Sequence, residues 1–391
     1  MKLAGDPCEG QRQVARESRL GDFATLTLEG SGLARRSRVR EAFHEADYLE
    51  RFDAQTLWLD AVWRDGVVRL ICPRLTSLRG AMRGARFALD GRTVRARVQY
   101  FDRHSVVTLR SREVPLRVSI EIGGWRGETR VHAAEDTFAG CNVLVTLSKD
   151  NDPAWIEDWV RYHVVHHGAD AVLFVDNGSA YGPEVVRAAI QRGGVAMSRV
   201  LVTDAPYGPR GKKPYANAEL FLQFCVLNAV RHRFLWNARA VLNCDIDELV
   251  TTEGSIFDTA VDSRFGYLAF PGYWVHPEPG FEGYPSHRAH GFRDAPKIAC
   301  PDKWCMVPNG PLRHFEWRQH RLERLPFPSW FRGEAGFWHC RNITNGWKLL
   351  KRTRVREATV PDGALQQAVA ILPERDSGKR LQYAEPGKQG V

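Results

Sequence analysis

Through the first third of the chain, hydrophobic and polar residues alternate in short runs rather than in helical periods. Residues 56–63, 67–71 and 94–101 follow this pattern, the period of strands that bury one face. Asp65-Gly66 and Asp90-Gly91 lie between such runs. An Asp-Gly pair there predicts a tight hairpin, because glycine accepts positive φ at no steric cost. The pattern predicts a smaller antiparallel β-rich domain over residues 1–138, with room for a short helix within residues 16–49.

From residue 139 the rhythm changes to buried strands alternating with amphipathic helices, which predicts an α/β domain with a parallel sheet. Residues 142–147 form the first apolar run. Asp152-Pro153 then stands in the order of an N-cap and first helical residue. Trp155, Ile156, Trp159, Tyr162 and His163 follow at helical spacing, and Gly168 supplies a stop. Residues 171–175 predict a second strand, Asp176-Asn177-Gly178-Ser179 a turn, and a helix begins near Glu184. A third strand is predicted over 195–202, a Pro/Gly-rich loop over 206–214, a long helix over 216–231 and a fourth strand over 240–244 that ends on Asp245. Beyond residue 256 the regularity fades into a Trp-, Gly-, Pro- and His-rich region, with helical character again at 347–356. The α/β domain is expected to span 139–375, followed by a polar C-terminal tail, 376–391.

Length and composition agree with two globular domains: 391 residues, 43% hydrophobic and 26% charged. No run approaches the roughly 20 apolar residues that a membrane span needs, and the first residues lack an apolar signal core, so a cytoplasmic location is expected. The eight cysteines are scattered, a distribution that predicts reduced thiols rather than a disulfide framework. A net charge of +9 favours anionic partners, including peripheral contact with an anionic membrane. No basic run interleaved with aromatics suggests nucleic acid.

The candidate chemistry gathers at predicted strand ends, where open α/β sheets bind ligands. Asp245 and Asp247 are two apart, so in extended backbone both carboxylates face one side and can share a hard divalent cation, Mn2+ or Mg2+. Short acidic turns are also common on ordinary surfaces. Asp150 and Asp176, with Asn177 beside it, can accept hydrogen bonds from a nucleotide base or ribose, or serve only as turn formers. His339, between Trp338 and Cys340, is either a third metal ligand or a packed core histidine. Trp274 offers an aromatic wall for a sugar. Lys297 and Lys348 are candidate phosphate contacts. His163, His166 and His167 on the first helix are expected to pack.

Several of these segments, in order, resemble the GT-A glycosyltransferases of the family 2-like and family 92-like branch, which includes bacterial proteins of capsular and cell-surface polysaccharide synthesis. The resemblance runs over residues 142–352. It rests on Asp158-Trp159 with Tyr162-His163 and Gly168, on Val175-Asp176-Asn177-Gly178-Ser179, and on Leu242-Asn243-Cys244-Asp245-Ile246-Asp247-Glu248-Leu249. Lys297-Ile298 with Pro301, and His339 ahead of Gly346-Trp347-Lys348, extend it. Many members read Lys-Asn-Glu where this chain has Lys149-Asp150-Asn151.

The resemblance implies a GT-A, Rossmann-like domain, a nucleoside diphosphate sugar as donor, and a glycan, lipid-linked or other hydroxyl acceptor. It further implies a divalent cation at Asp245 and Asp247, with His339 completing the ligand set. An inverting reaction needs a carboxylate base, for which Glu334 and Asp294 are the candidates. Two other functions fit the same pattern. A sugar-phosphate nucleotidyltransferase also pairs carboxylates on a metal, though residues 148–152 lack its Gly-rich loop. A non-catalytic glycan-binding protein is the other.

Overall fold

The computed structural model describes residues 14–15, 22–343 and 359–375. It is a mixed α/β architecture in which strands predominate. The chain divides into two compact units.

The first unit contains residues 23–134 and 205–225. One five-stranded sheet runs in the order Val14–Ala15, Trp125–Arg130, Arg117–Ile122, Arg86–Leu89, Arg92–Val94. A second runs His132–Ala133, Asp60–Arg64, Val67–Pro73, His104–Arg110, Ala96–Tyr100. Alternate residues of both sheets, among them Phe87, Val118 and Ile120 from one and Leu70, Val107 and Leu109 from the other, share one apolar core. Both Asp-Gly pairs form hairpin turns with two positive φ values: 51° and 78° at Asp65-Gly66, 46° and 79° at Asp90-Gly91. The right-handed strand twist favours this turn geometry.

The second unit contains residues 135–204 and everything described from 226 onward. Its elements are numbered here from its first strand: β1 (Asn142–Ser148), α1 (Pro153–His167), β2 (Ala171–Asp176), α2 (Pro183–Arg192), β3 (Met197–Val202), β4 (Ala240–Asn243) and β5 (Glu248–Thr251). Then come β6 (Tyr267–Pro277), β7 (His290–Asp294), β8 (Ala299–Met306), β9 (Gly336–Cys340) and β10 (Thr359–Pro361). They form one sheet with the path β3-β2-β1-β4-β8-β6-β7-β10, and β9 joins β5 to β6. Neighbours within β3-β2-β1-β4 are parallel. β8 then runs antiparallel to β4, and β6 antiparallel to β8.

Four expectations about layout are corrected. The division falls at 134/135 rather than 138/139, and residues 205–225 fold with the first unit rather than the second. The helix expected over 216–231 is Leu222–Val230, continued by a π-helical turn at Arg231–Leu235. The irregular stretch beyond 256 holds, among the described residues, five strands, β6 to β10, and long loops: bulges in β6 near Phe270 and His276 break the alternation that reveals a strand. The helix expected at 347–356 and the tail from 376 lie outside the described residues.

Helix α1 begins as its sequence predicts. The Asp152 carboxylate accepts from Ala154 N–H at 2.8 Å, Pro153 opens the helix, and Gly168 closes it at φ 65°. Its histidines pack, as expected. His163 Nδ1–H donates to Trp159 O at 2.8 Å, and His167 Nε2–H donates to Val250 O at 2.9 Å. Burial holds both rings neutral, pushing His167 down to about 4 and His163 well below the ordinary 6.5. The unfolded chain binds these protons near the ordinary value and the folded chain does not, so their stabilising contribution is present above about pH 6.5 and lost as pH falls toward 4. The thermal midpoint is therefore expected to fall between pH 7 and pH 4.5, and less steeply in His167→Gln. Parallel slopes for the two proteins would sink this assignment.

Candidate metal centre

The fourth parallel strand, β4, carries Ala240, Val241 and Leu242 into the core and ends at Asn243. Beyond it the chain does not stay extended. Asp245 O accepts from Glu248 N–H at 3.0 Å, and Asp245 N–H donates to Glu248 Oε2 at 2.8 Å, closing a turn. The i, i+2 rule for extended backbone therefore does not operate here, and Asp245 and Asp247 meet different partners.

Asp245, expected in the metal's ligand set, is held by a lysine. Lys303 Nζ lies 3.0 Å from Asp245 Oδ2 and 2.8 Å from Glu248 Oε2, with the lysine side chain fully buried. Gln319 Nε2–H also donates to Asp245 Oδ2, at 3.3 Å. Burial works against the charged ammonium, but Asp245 and Glu248 outweigh it and raise its pKa above the ordinary lysine value. Burial raises the Glu248 carboxyl, and Lys303 opposes the rise. His320, on the other side of Lys303 in charge terms, is pushed down to about 4 by burial and by the lysine.

Asp247 meets His339 instead. β9 pairs antiparallel with β5 and parallel with β6, so Glu248, His339 and Trp274 sit side by side in register on one face. His339 Nε2 lies 3.1 Å from Asp247 Oδ2, and Nδ1 lies 3.6 Å from Glu248 Oε1. Donor atoms of Asp247, Glu248 and His339 fall within 4.8 Å of one another, a set of two carboxylates and an imidazole from positions 92 residues apart. Such a set fits a divalent cation. The imidazole suits Mn2+ better than Mg2+, which prefers oxygen alone. Trp274 stacks on His339, ring centroids 3.8 Å apart, and the Arg341 guanidinium lies 4.4 Å from the Trp274 ring centre.

The other expected residues divide. Asp150, Asp176 and Asn177 gather at the carboxyl ends of β1 and β2, as turn formers. Asp176 accepts from the N–H of Ser179 at 3.0 Å and from its hydroxyl, Asp150 accepts from Ala180 N–H at 2.7 Å, and Asn177 donates to Thr203 O at 3.1 Å. β1 lies between β2 and β4 and all three run parallel, so this group and the turn after β4 stand at the same, carboxyl-terminal end of these strands. Burial raises the Asp176 carboxyl.

Lys297 is not brought to the cluster. Its ammonium lies 4.0 Å from the ring centre of Tyr273, and Tyr273 and Trp274 project from opposite faces of β6 because side chains alternate along a strand. Glu334 is exposed in the loop that enters β9. His339 stands near that strand's other end, so Glu334 is no base for this site. Asp294 is buried against His276, Nε2 to Oδ2 3.0 Å. Lys348 lies outside the described residues.

Sequence reasoning missed Lys303, Gln319 and the place of Glu248 beside His339. The one signal for Lys303 was a lysine directly ahead of the apolar run Trp304-Cys305-Met306, and an ammonium drawn into the core with that run is tolerated only beside carboxylates. Nothing local marked Gln319.

No known family model matches the chain, and no curated protein matches it. Among the described residues no helix is long and apolar enough to cross a membrane.

Proposed function

We propose that this chain is a metal-dependent glycosyltransferase of GT-A type, acting on a nucleoside diphosphate sugar and a glycan, lipid-linked or other hydroxyl acceptor. The observation that carries the reading is the Asp247–His339 contact. Two residues remote in sequence meet at 3.1 Å beside the carboxyl edge of a β3-β2-β1-β4 parallel sheet, the edge where such sheets take nucleotides. Asp150, Asp176 and Asn177 occupy the same edge where a base and ribose would lie.

When bound at Asp247 and His339, a divalent cation would neutralise charge on the departing diphosphate. The protein's own part is positional. Trp274 holds the imidazole plane, the Asp245–Glu248 turn orients Asp247, and Lys303 keeps that turn from springing apart under its own negative charge. With Glu334 remote and Asp294 paired to His276, neither carboxylate is assigned as base.

The test is a thermal-shift screen of the chain against nucleoside diphosphates, each with and without Mn2+. A ligand that binds only the folded state raises its midpoint by mass action, by about 2.7 kcal/mol of stabilisation at a hundredfold excess over Kd. One diphosphate is expected to stabilise the protein, and only with metal. A flat screen would remove the transferase reading in favour of a non-catalytic glycan-binding protein.

A further inference from the structure

The two ring nitrogens of His339 face different carboxylates. Nε2 meets Asp247 Oδ2 at 3.1 Å, and Nδ1 faces Glu248 Oε1 at 3.6 Å. The second distance is too long for a hydrogen bond, and Nδ1 has no hydrogen-bond partner among the described residues although His339 is only 8% exposed. Glu248 itself is anchored from behind: its Oε2 is 2.8 Å from Lys303 Nζ and accepts from Asp245 N–H at 2.8 Å. Lys303 also reaches Asp245 Oδ2 at 3.0 Å.

Resting on the reading of a divalent cation at this cluster, we propose a division of labour among the acids. Asp247 Oδ2 and His339 Nε2 are the protein's metal ligands. Glu248 is a positioning residue that accepts the Nδ1–H of the ligating imidazole. Lys303 is an internal cation that fixes Glu248 and withholds Asp245 from the metal. The Asp-x-Asp pair is thus split, its first carboxylate committed to a lysine and its second to the metal.

The chemistry of imidazole drives the assignment. Without metal, Nε2–H donates to the Asp247 carboxylate. A ligating nitrogen carries no proton, so the neutral ring must carry its single proton on Nδ1, which faces Glu248 Oε1 at 3.6 Å. The proton changes nitrogen and none is gained or lost. Closing 3.6 Å to an ordinary hydrogen bond needs a movement of about 0.7 Å. Metal-bound histidines characteristically donate their other N–H to a carboxylate, which sets tautomer and ring orientation. Were Glu248 Oε1 to ligate the metal directly, the buried Nδ1–H would lose that acceptor.

The experiment is Mn2+ titration calorimetry on the full chain and on five variants, each first checked for cooperative thermal unfolding. Asp247→Asn and His339→Gln are expected to weaken Mn2+ by a hundredfold or more. Glu248→Gln is expected to cost about 10- to 100-fold, the usual penalty for an outer carboxylate, with Glu248→Asp intermediate. Asp245→Asn stays within about threefold. Nitrogen NMR of histidine-labelled wild-type protein supplies a readout that needs no variant: the His339 proton is on Nε2 without metal and on Nδ1 with diamagnetic Zn2+.

Asp245→Asn weakening Mn2+ as much as Asp247→Asn would overturn the proposal. So would a proton that stays on Nε2, or a wild-type protein that binds no Mn2+. The two readings fail separately. Mn2+ bound in this ligand pattern without any nucleoside diphosphate keeps the assignment and removes the transferase. Diphosphate bound with metal but insensitive to Asp247→Asn removes the assignment alone.

Discussion

Lys303→Met destabilises the second unit by about 3–5 kcal/mol, the cost of removing one partner from a buried ion pair and leaving the other charge uncompensated. Here two carboxylates lose their buried cation at once, since Lys303 lies 3.0 Å from Asp245 and 2.8 Å from Glu248 with its own side chain wholly enclosed. The loss has a pH signature. Burial already raises the Glu248 carboxyl, and without the ammonium it rises further. A group whose folded pKa exceeds its unfolded value contributes stability below the unfolded pKa and loses it as pH rises through the folded one. The deficit of the variant relative to the unmodified chain is therefore smallest near pH 5 and largest near pH 8. Urea denaturation of both proteins at the two pH values measures it. Combining the change with Glu248→Gln recovers part of the loss, because the two residues are coupled through one contact. A deficit that does not move with pH would mean that the lysine supports packing and not charge.

If the chain is the transferase proposed above, Asp247→Asn is expected to lower turnover of the nucleotide sugar by about a hundredfold or more, while Glu334→Gln leaves it within about twofold. The first expectation follows from charge: a metal ligand contributes several kcal/mol of stabilisation to a departing diphosphate, and each 1.36 kcal/mol is about tenfold in rate. The second follows from place, since Glu334 is exposed at the entrance to β9 while His339 stands near its exit. Release of free nucleoside diphosphate, with the donor chosen by the thermal-shift screen, follows both variants. Equal losses would return Glu334 to the reacting centre, and an active Asp247→Asn would remove the metal from the reaction.

Much of the fold was legible from local pattern. The Asp-Gly hairpins, the Asp152 cap, the Gly168 stop and the four parallel strands all appear within a few residues of their expected bounds. Each of these depends on neighbours within a turn or on a period that repeats along the strand. The strands β6 to β9 were not legible. They pair over long sequence distances, and the bulges in β6 interrupt the alternation that would announce it. The segment 205–225 was assigned to the wrong unit for a related reason: a loop's composition says that it is a loop and not which core it covers.

The candidate site divides along the same line. From sequence alone came the acids at the strand ends and the prospect of a metal shared by Asp245 and Asp247, and from the resemblance came His339 as a distant completing ligand. What only the tertiary structure decided is which acid meets which partner. A four-residue turn took Asp245 out of the extended geometry on which its pairing with Asp247 was argued. β8 carried in Lys303, and register between β5, β6 and β9 set Glu248, His339 and Trp274 in a row. Backbone propensity and hydrophobic period are read within a few residues, whereas the field at a buried carboxylate depends on charges a few ångströms away that are tens of residues distant along the chain.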